Sequence, residues 1–120
     1  MNVIIVEDNV IAAAHLTGLL SAEGHHVVAT YQSGENFIDS YEKNEADVVF
    51  MDIYLNGKMT GVEAAREFRS QSETPIIFLS AMSDPESVNS RRDIEGTFYI
   101  NKPFIEKEIK ELVCELESKK

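Results

Sequence analysis

Three acids and a lysine stand where apolar runs end. The run Asp47-Val48-Val49-Phe50-Met51 ends on Asp52. Asn2-Val3-Ile4-Ile5-Val6 ends on the pair Glu7-Asp8, and Phe98-Tyr99-Ile100-Asn101 ends on Lys102-Pro103. Side chains at the trailing ends of separate buried strands converge when those strands are parallel and adjacent. Two carboxylates brought that close repel by about 4 kcal/mol at ~4 Å and an effective dielectric near ~20. Such a cluster persists when a cation, or a metal together with a bound anion, offsets the repulsion. The residue types therefore point to a site, with Asp52 at its centre.

Apolar, β-branched runs alternate with helical patterns along the whole chain, without internal repeat, linker or low-complexity stretch. Strands are predicted at 2–6, 27–31, 47–51, 75–80 and 97–101. Several are continuous apolar runs, the pattern of strands covered on both faces by helices. The first helix carries Ala12, Leu16, Leu19 and Leu20, and Gly24 stops it. Ser33 can cap the second, which buries Phe37, Ile38 and Tyr41. The third starts near Thr60 or Gly61 and buries Val62, Ala65 and Phe68. A capping box from Ser83 to Glu86 enters the fourth, which holds little apolar surface beyond Val88 and carries Arg91 and Arg92. The fifth buries Ile105, Ile109, Leu112, Val113 and Leu116. This order predicts a doubly wound α/β fold, a parallel sheet between two helical layers. Ligands of such sheets sit beyond the carboxyl ends of the strands, where strand order reverses. Glu7, Asp8, Asp52, Ser80 and Lys102 all fall at or just beyond those ends.

At 120 residues the chain buries roughly two thirds of its unfolded surface, enough for one core without staples. Residues 1–120 are read as a single domain, standing alone or cut from a longer protein. The net charge of −10 disfavours direct nucleic-acid binding, which needs a basic surface, and is compatible with basic partner surfaces. The one cysteine, Cys114, forms no internal disulfide and fits a reducing compartment. It reads as a small, partly buried apolar residue of the last helix. His15, His25 and His26 lack ligand spacing near the acids and read as helix-face and turn residues. The apolar runs are too short to span a membrane and no signal peptide opens the chain, so the cytoplasm is the default compartment.

The segments Val6-Glu7-Asp8-Asn9, Met51-Asp52-Ile53, Phe78-Leu79-Ser80-Ala81 and Tyr99-Ile100-Asn101-Lys102-Pro103-Phe104 occur in order on this β/α pattern. As a set they resemble the receiver domain of two-component response regulators, over the whole chain. The resemblance implies a flavodoxin-like (βα)5 sheet of strand order 2-1-3-4-5. It implies that Asp52 takes a phosphoryl group from a phosphohistidine donor, giving an aspartyl phosphate. Because phosphoryl transfer needs positioning and charge neutralisation, it also implies Mg2+, a hard ion with oxygen ligands. Asp8 and Asp52 are then direct ligands, Glu7 a ligand through water, and the backbone carbonyl of Tyr54 another. Lys102 pairs with a phosphoryl oxygen, while the Ser80 hydroxyl and the Ala81 N–H bind another. Ser80 and Tyr99 become the switch pair, since a hydroxyl drawn inward vacates space for the aromatic ring. The responsive surface is the fourth helix, fifth strand and fifth helix. The implied donor is a sensor histidine kinase or a histidine phosphotransfer protein. A phosphorylation-dependent dimer is compatible with this, the output partner stays unnamed, and the only catalysis implied is of the chain's own phosphorylation and dephosphorylation.

Taken singly, the same residues have ordinary roles. Glu7 and Asp8 could favour a helix N-terminus through its dipole, Ser80 is a common turn residue, Lys102-Pro103 could merely open a helix, and Tyr99 could be core. The chain also departs from the family pattern. The first acid is Glu7 where Asp is commoner, and Gly96-Thr97 replaces the usual Gly-Ala. The loop after Asp52, through Asn56 and Gly57, lacks the customary proline and is about one residue longer. Tyr54 and Met82, two positions past Asp52 and Ser80, are bulky and hold no attacking water, so the aspartyl phosphate is expected to be long-lived for its family.

Two other classes compete. A receiver-like interaction module that works without phosphorylation would have no reason to keep mutually repelling acids. An aspartate-nucleophile phosphatase would want a second acid where Tyr54 stands, and a nucleotide-binding fold would want a glycine-rich turn where Glu7-Asp8-Asn9 stands.

Overall fold

In the computed structural model, which describes residues 1–55, 57–81, 94–102 and 105–118, the apolar runs form one parallel sheet of order β2-β1-β3-β4-β5. Its strands are β1 (Asn2–Val6), β2 (His26–Tyr31), β3 (Val48–Asp52), β4 (Ile76–Ala81) and β5 (Thr97–Lys102). The order is the one implied by the resemblance. β1 spans the expected residues, and the other strands differ from expectation by one residue because ladder partners decide their ends. Asp52 pairs with Leu79 and Lys102 with Ala81, so both charged residues are themselves last rungs. His26 pairs with Asn2 and is a strand residue, not a turn residue.

Pleat alternation divides the core into two layers. Val3, Ile5, Val48, Phe50, Ile77, Leu79 and Ile100 pack with Leu16 and Leu20 of α1 (Val10–Ala22) and with Ile109 and Val113 of the C-terminal helix (Glu106–Ser118). On the other face, Ile4, Val6, Val49, Met51, Ile76 and Phe78 meet Phe37 of α2 (Gly34–Ser40) and Val62, Ala65 and Phe68 of α3 (Gly61–Arg69). A 3-10 turn, Tyr41–Lys43, follows α2, and its Tyr41 closes an aromatic cluster with Phe37 and Phe68. Helices on both faces explain why the central runs are apolar without alternation.

Side-chain polar groups set the helix ends. Asn9 Oδ1 accepts the N–H groups of Ile11 and Ala12 at 3.0 and 3.1 Å, and Ser33 Oγ accepts from Asn36. Thr60 and Glu63 form a reciprocal capping box at α3. With Asn9 as cap, the inward stripe of α1 is Ala13, Leu16 and Leu20. Ala12 is turned off that stripe, and Leu19 packs only partly against the core. Ile105, expected inside, precedes the C-terminal helix and is exposed. Cys114 is likewise exposed, one step around the helix from buried Val113. Arg69 donates to the carbonyls of Ser72, Thr74, Glu95 and Gly96, tying the exit of α3 to the turn before β5. The expected fourth helix, with Ser83, Glu86, Val88, Arg91 and Arg92, lies outside the described residues, as do Asn56, Met82, Pro103 and Phe104. Among the described residues no helix is long and apolar enough to cross a membrane.

Candidate functional site

β1 sits between β2 and β3, so the chain reverses its direction of travel across the sheet between β1 and β3. Glu7 and Asp8 leave one of these strands and Asp52 ends the other. Glu7 extends the ladder past β1, its N–H donating to the Tyr31 carbonyl at 2.9 Å, and its side chain is 1% exposed. One carboxylate oxygen, Oε2, accepts the Asn9 N–H at 3.3 Å. Asp52, only 5% exposed, is held at both oxygens. Oδ1 accepts the Tyr54 N–H at 3.2 Å, and Oδ2 lies 3.2 Å from Lys102 Nζ. The same ammonium is 2.5 Å from Glu7 Oε1. Asp8 is partly exposed, and one carboxylate oxygen from each of Glu7, Asp8 and Asp52 falls within 4.8 Å of the others.

The electrostatics follow from that crowding. Burial and the neighbouring Asp52 carboxyl push Glu7 above its ordinary range, and Lys102 only partly offsets them. Burial pulls the Lys102 amine down, but Glu7 and Asp52 more than compensate and hold it above the usual lysine value. One lysine thus bridges two carboxylates without relieving Glu7 fully. Oxygen-only donors at this spacing suit a hard divalent cation, which would supply the missing positive charge.

β4 and β5 bring the remaining sequence-predicted residues to the same end of the sheet. Ser80 is 1% exposed and pairs with Asn101, one rung past Leu79, the partner of Asp52. Tyr99 pairs with Phe78 and packs partly buried on the α2–α3 layer. Paired residues of parallel strands share a face, so Ser80 and Tyr99 are diagonal neighbours. The Tyr54 side chain is 54% exposed, and its backbone N–H is the part engaged with Asp52.

Two residues escape a reading of the sequence. Asn9 both caps α1 and contacts Glu7 through its N–H; an Asn after two acids and before a helical pattern is the available signal. Gly61, read there only as a helix boundary, packs against the backbone of Asp52. A Cβ there would stand 1.9 Å from the Asp52 carbonyl oxygen, and its N–H donates to the Ile53 carbonyl at 2.8 Å.

A family model for the response regulator receiver domain matches residues 3–114. Transcriptional regulatory protein PdtaR of Mycobacterium tuberculosis is 31% identical over 102 residues, 85% of this chain and 49% of that protein. Regulatory protein VanRB of Enterococcus faecalis is 35% identical over 104 residues, 87% of this chain and 46% of that one. The chain therefore spans about half the length of these curated relatives. Among solved structures, the response regulatory domain of protein mrkE from Klebsiella pneumoniae superposes with a TM-score of 0.86 at 27% identity, covering 98% of this chain and 96% of that one. Receiver domains generally bind Mg2+ at an acidic pocket and accept phosphoryl groups from histidine kinases. With its strand order, its acidic cluster and the family match over nearly all its length, this chain belongs to the receiver domains of two-component response regulators, signalling switches that take a phosphoryl group onto an aspartate.

Proposed function

We propose that Asp52 is the phosphoacceptor of this receiver and that residues 1–120 work as one domain. The observation that carries the reading is the meeting of three carboxylates within 4.8 Å, with a lysine bridging two of them. In the reaction a carboxylate oxygen of Asp52 attacks the phosphorus of a phosphohistidine. The O–P bond forms as the P–N bond breaks, and the departing imidazole takes up a proton. Asp8 and Asp52 would hold Mg2+ directly, Glu7 through water and Tyr54 through its carbonyl; the ion supplies charge neutralisation for the incoming phosphoryl group. Lys102, already poised between Glu7 and Asp52, exchanges them for a phosphoryl oxygen. Ser80 binds another oxygen, and its inward movement frees space for Tyr99, the next aromatic on the same face. That change would be read out on the surface of the expected fourth helix, β5 and the C-terminal helix.

In this reading the chain works in the cytoplasm, and the donor is a sensor histidine kinase or histidine phosphotransfer protein. Exposed Val10 and Ile11, just past the acids, and exposed Ile105, just past the lysine, give such a partner apolar contacts at the rim. The test is phosphorylation by acetyl phosphate or phosphoramidate with Mg2+, followed by intact mass spectrometry. One added phosphoryl group is expected, absent from Asp52→Asn and from chelated samples. A normal yield from either sample would remove Asp52 from the role and favour a module that works without phosphorylation.

A further inference from the structure

The segment leading from Asp52 to α3 departs from its family in length and in lacking proline, and a side chain from α2 reaches across to it. Glu35 Oε1 accepts the Met59 N–H at 2.8 Å. Gly57, at φ +111°, lies so near the other carboxylate oxygen that a Cβ there would be 2.6 Å from Oε2. Next to Glu35, Gly34 is also tightly packed, since a Cβ on it would stand 3.1 Å from the Cβ atoms of Met59 and Ala64. The base of the segment is closed by the Gly61 N–H on the Ile53 carbonyl, and the Tyr54 N–H is committed to Asp52. Its two ends thus lie close together, as in a compact surface loop, while its returning arm is gripped by a charged acceptor, the stronger class of hydrogen bond.

We propose that Glu35 is a positioning residue for the metal-binding loop: from α2 it clamps the returning arm through Met59 and Gly57, and so fixes the Tyr54 backbone beside the Glu7, Asp8 and Asp52 carboxylates. The assignment rests on the reading of that cluster as a magnesium site. Glu35 touches neither ion nor phosphoryl group, and its effect passes through loop geometry. Removing the carboxylate leaves the part-buried Met59 N–H without its acceptor and the loop without its outside hold. A glutamine keeps an oxygen at the same reach, so the clamp should survive that exchange.

The experiment is a Mg2+ titration of the 15N-labelled chain followed by amide shifts, with hydrogen exchange of the Met59 amide read on the same samples. Wild type, Glu35→Ala, Glu35→Gln and Asp8→Asn are compared. Glu35→Ala should accelerate Met59 exchange and raise the Kd for Mg2+ about tenfold, the lower end of what a lost supporting contact does to a metal site, while Glu35→Gln stays within about twofold of wild type. Faster Met59 exchange with unchanged Mg2+ affinity in Glu35→Ala would make the contact purely local and overturn the proposal. So would a Glu35→Gln as impaired as Glu35→Ala. A wild type that binds no Mg2+, or an Asp8→Asn that binds as tightly as wild type, would instead bring down the magnesium reading and this proposal with it, and the Met59 exchange rates would then still report whether the clamp exists.

Discussion

β3 and β5 each end on a charged residue of the site, and they hold it in opposite ways. β3 runs through the middle of the sheet with every residue buried. Its last rung, Asp52, is fixed by pairing with Leu79 and by the close approach of Gly61. β5 is an edge strand on which Ile100 alone is buried, and its Lys102 reaches inward on a long flexible stem. Phosphoryl transfer asks for both arrangements. In the proposed reaction the nucleophile gains from being held in line, whereas the lysine would leave two carboxylate oxygens for a phosphoryl oxygen. The site is thus half backbone packing and half side-chain electrostatics, and the two halves should fail differently.

The packed half gives the larger effects. Gly61→Ala should lower the unfolding free energy by about 3 kcal/mol, the upper range for overpacking, and reduce phosphorylation by small donors with it. Gly18, in α1, has nothing within 4 Å of where a Cβ would stand, and should gain up to about 1 kcal/mol on the same exchange. Urea unfolding of the two variants checks this, and equal effects would mean that the Asp52 platform has slack. Next comes the metal. Asp8→Asn removes the proposed direct oxygen ligand and should weaken Mg2+ binding about tenfold or more, ahead of Glu7→Gln, which removes the proposed ligand through water. A titration with the order reversed would reassign the two acids.

The electrostatic half should appear in the pH dependence of stability. Lys102 titrates above its ordinary value of 10.5 in the folded chain. The stability from its pairing is therefore complete below the unfolded value and is lost as pH climbs through the folded one. Denaturation midpoints from pH ~9 to ~12 should fall less steeply in Lys102→Met than in wild type; parallel curves would show that the pairing adds nothing. The smallest effect concerns lifetime. Tyr54→Asn with Met82→Glu should speed loss of the phosphoryl group several-fold, on the order of 1 kcal/mol of barrier. Decay in excess Mg2+ at an unchanged rate would clear both residues of gating water.

How far the fold is legible in the sequence depends on which force sets each feature. The order of the sheet follows only from the family resemblance, but continuous apolar runs are a direct record of burial on both faces, so β1, β3 and β4 are legible. Their ends are not, because the partner strand decides whether Asp52 or Lys102 is the last rung. Amphipathic phase is readable for α3 and, at Leu16 and Leu20, for α1, where only Ala12 is off the stripe and Ala13 is buried in its place. Glu7, Asp8, Asp52 and Lys102 stand out as a set, because each follows an apolar run and parallel strands bring those ends together. Gly61 and Glu35 do not, because their roles are distances to backbone atoms far along the chain, and composition carries no trace of a distance.

The bridge made by Lys102 has one more consequence. When Glu7, Asp8 and Asp52 are all ionised, the single ammonium between Glu7 and Asp52 cancels one of their charges and leaves two. An ion of valence two would close that balance, while sodium or potassium would leave a surplus carboxylate. In this buried setting a carboxylate left unbalanced is repelled by its neighbours far more than it would be in water. The count of acids against one lysine would therefore favour a divalent over a monovalent ion, ahead of any selection by ionic radius.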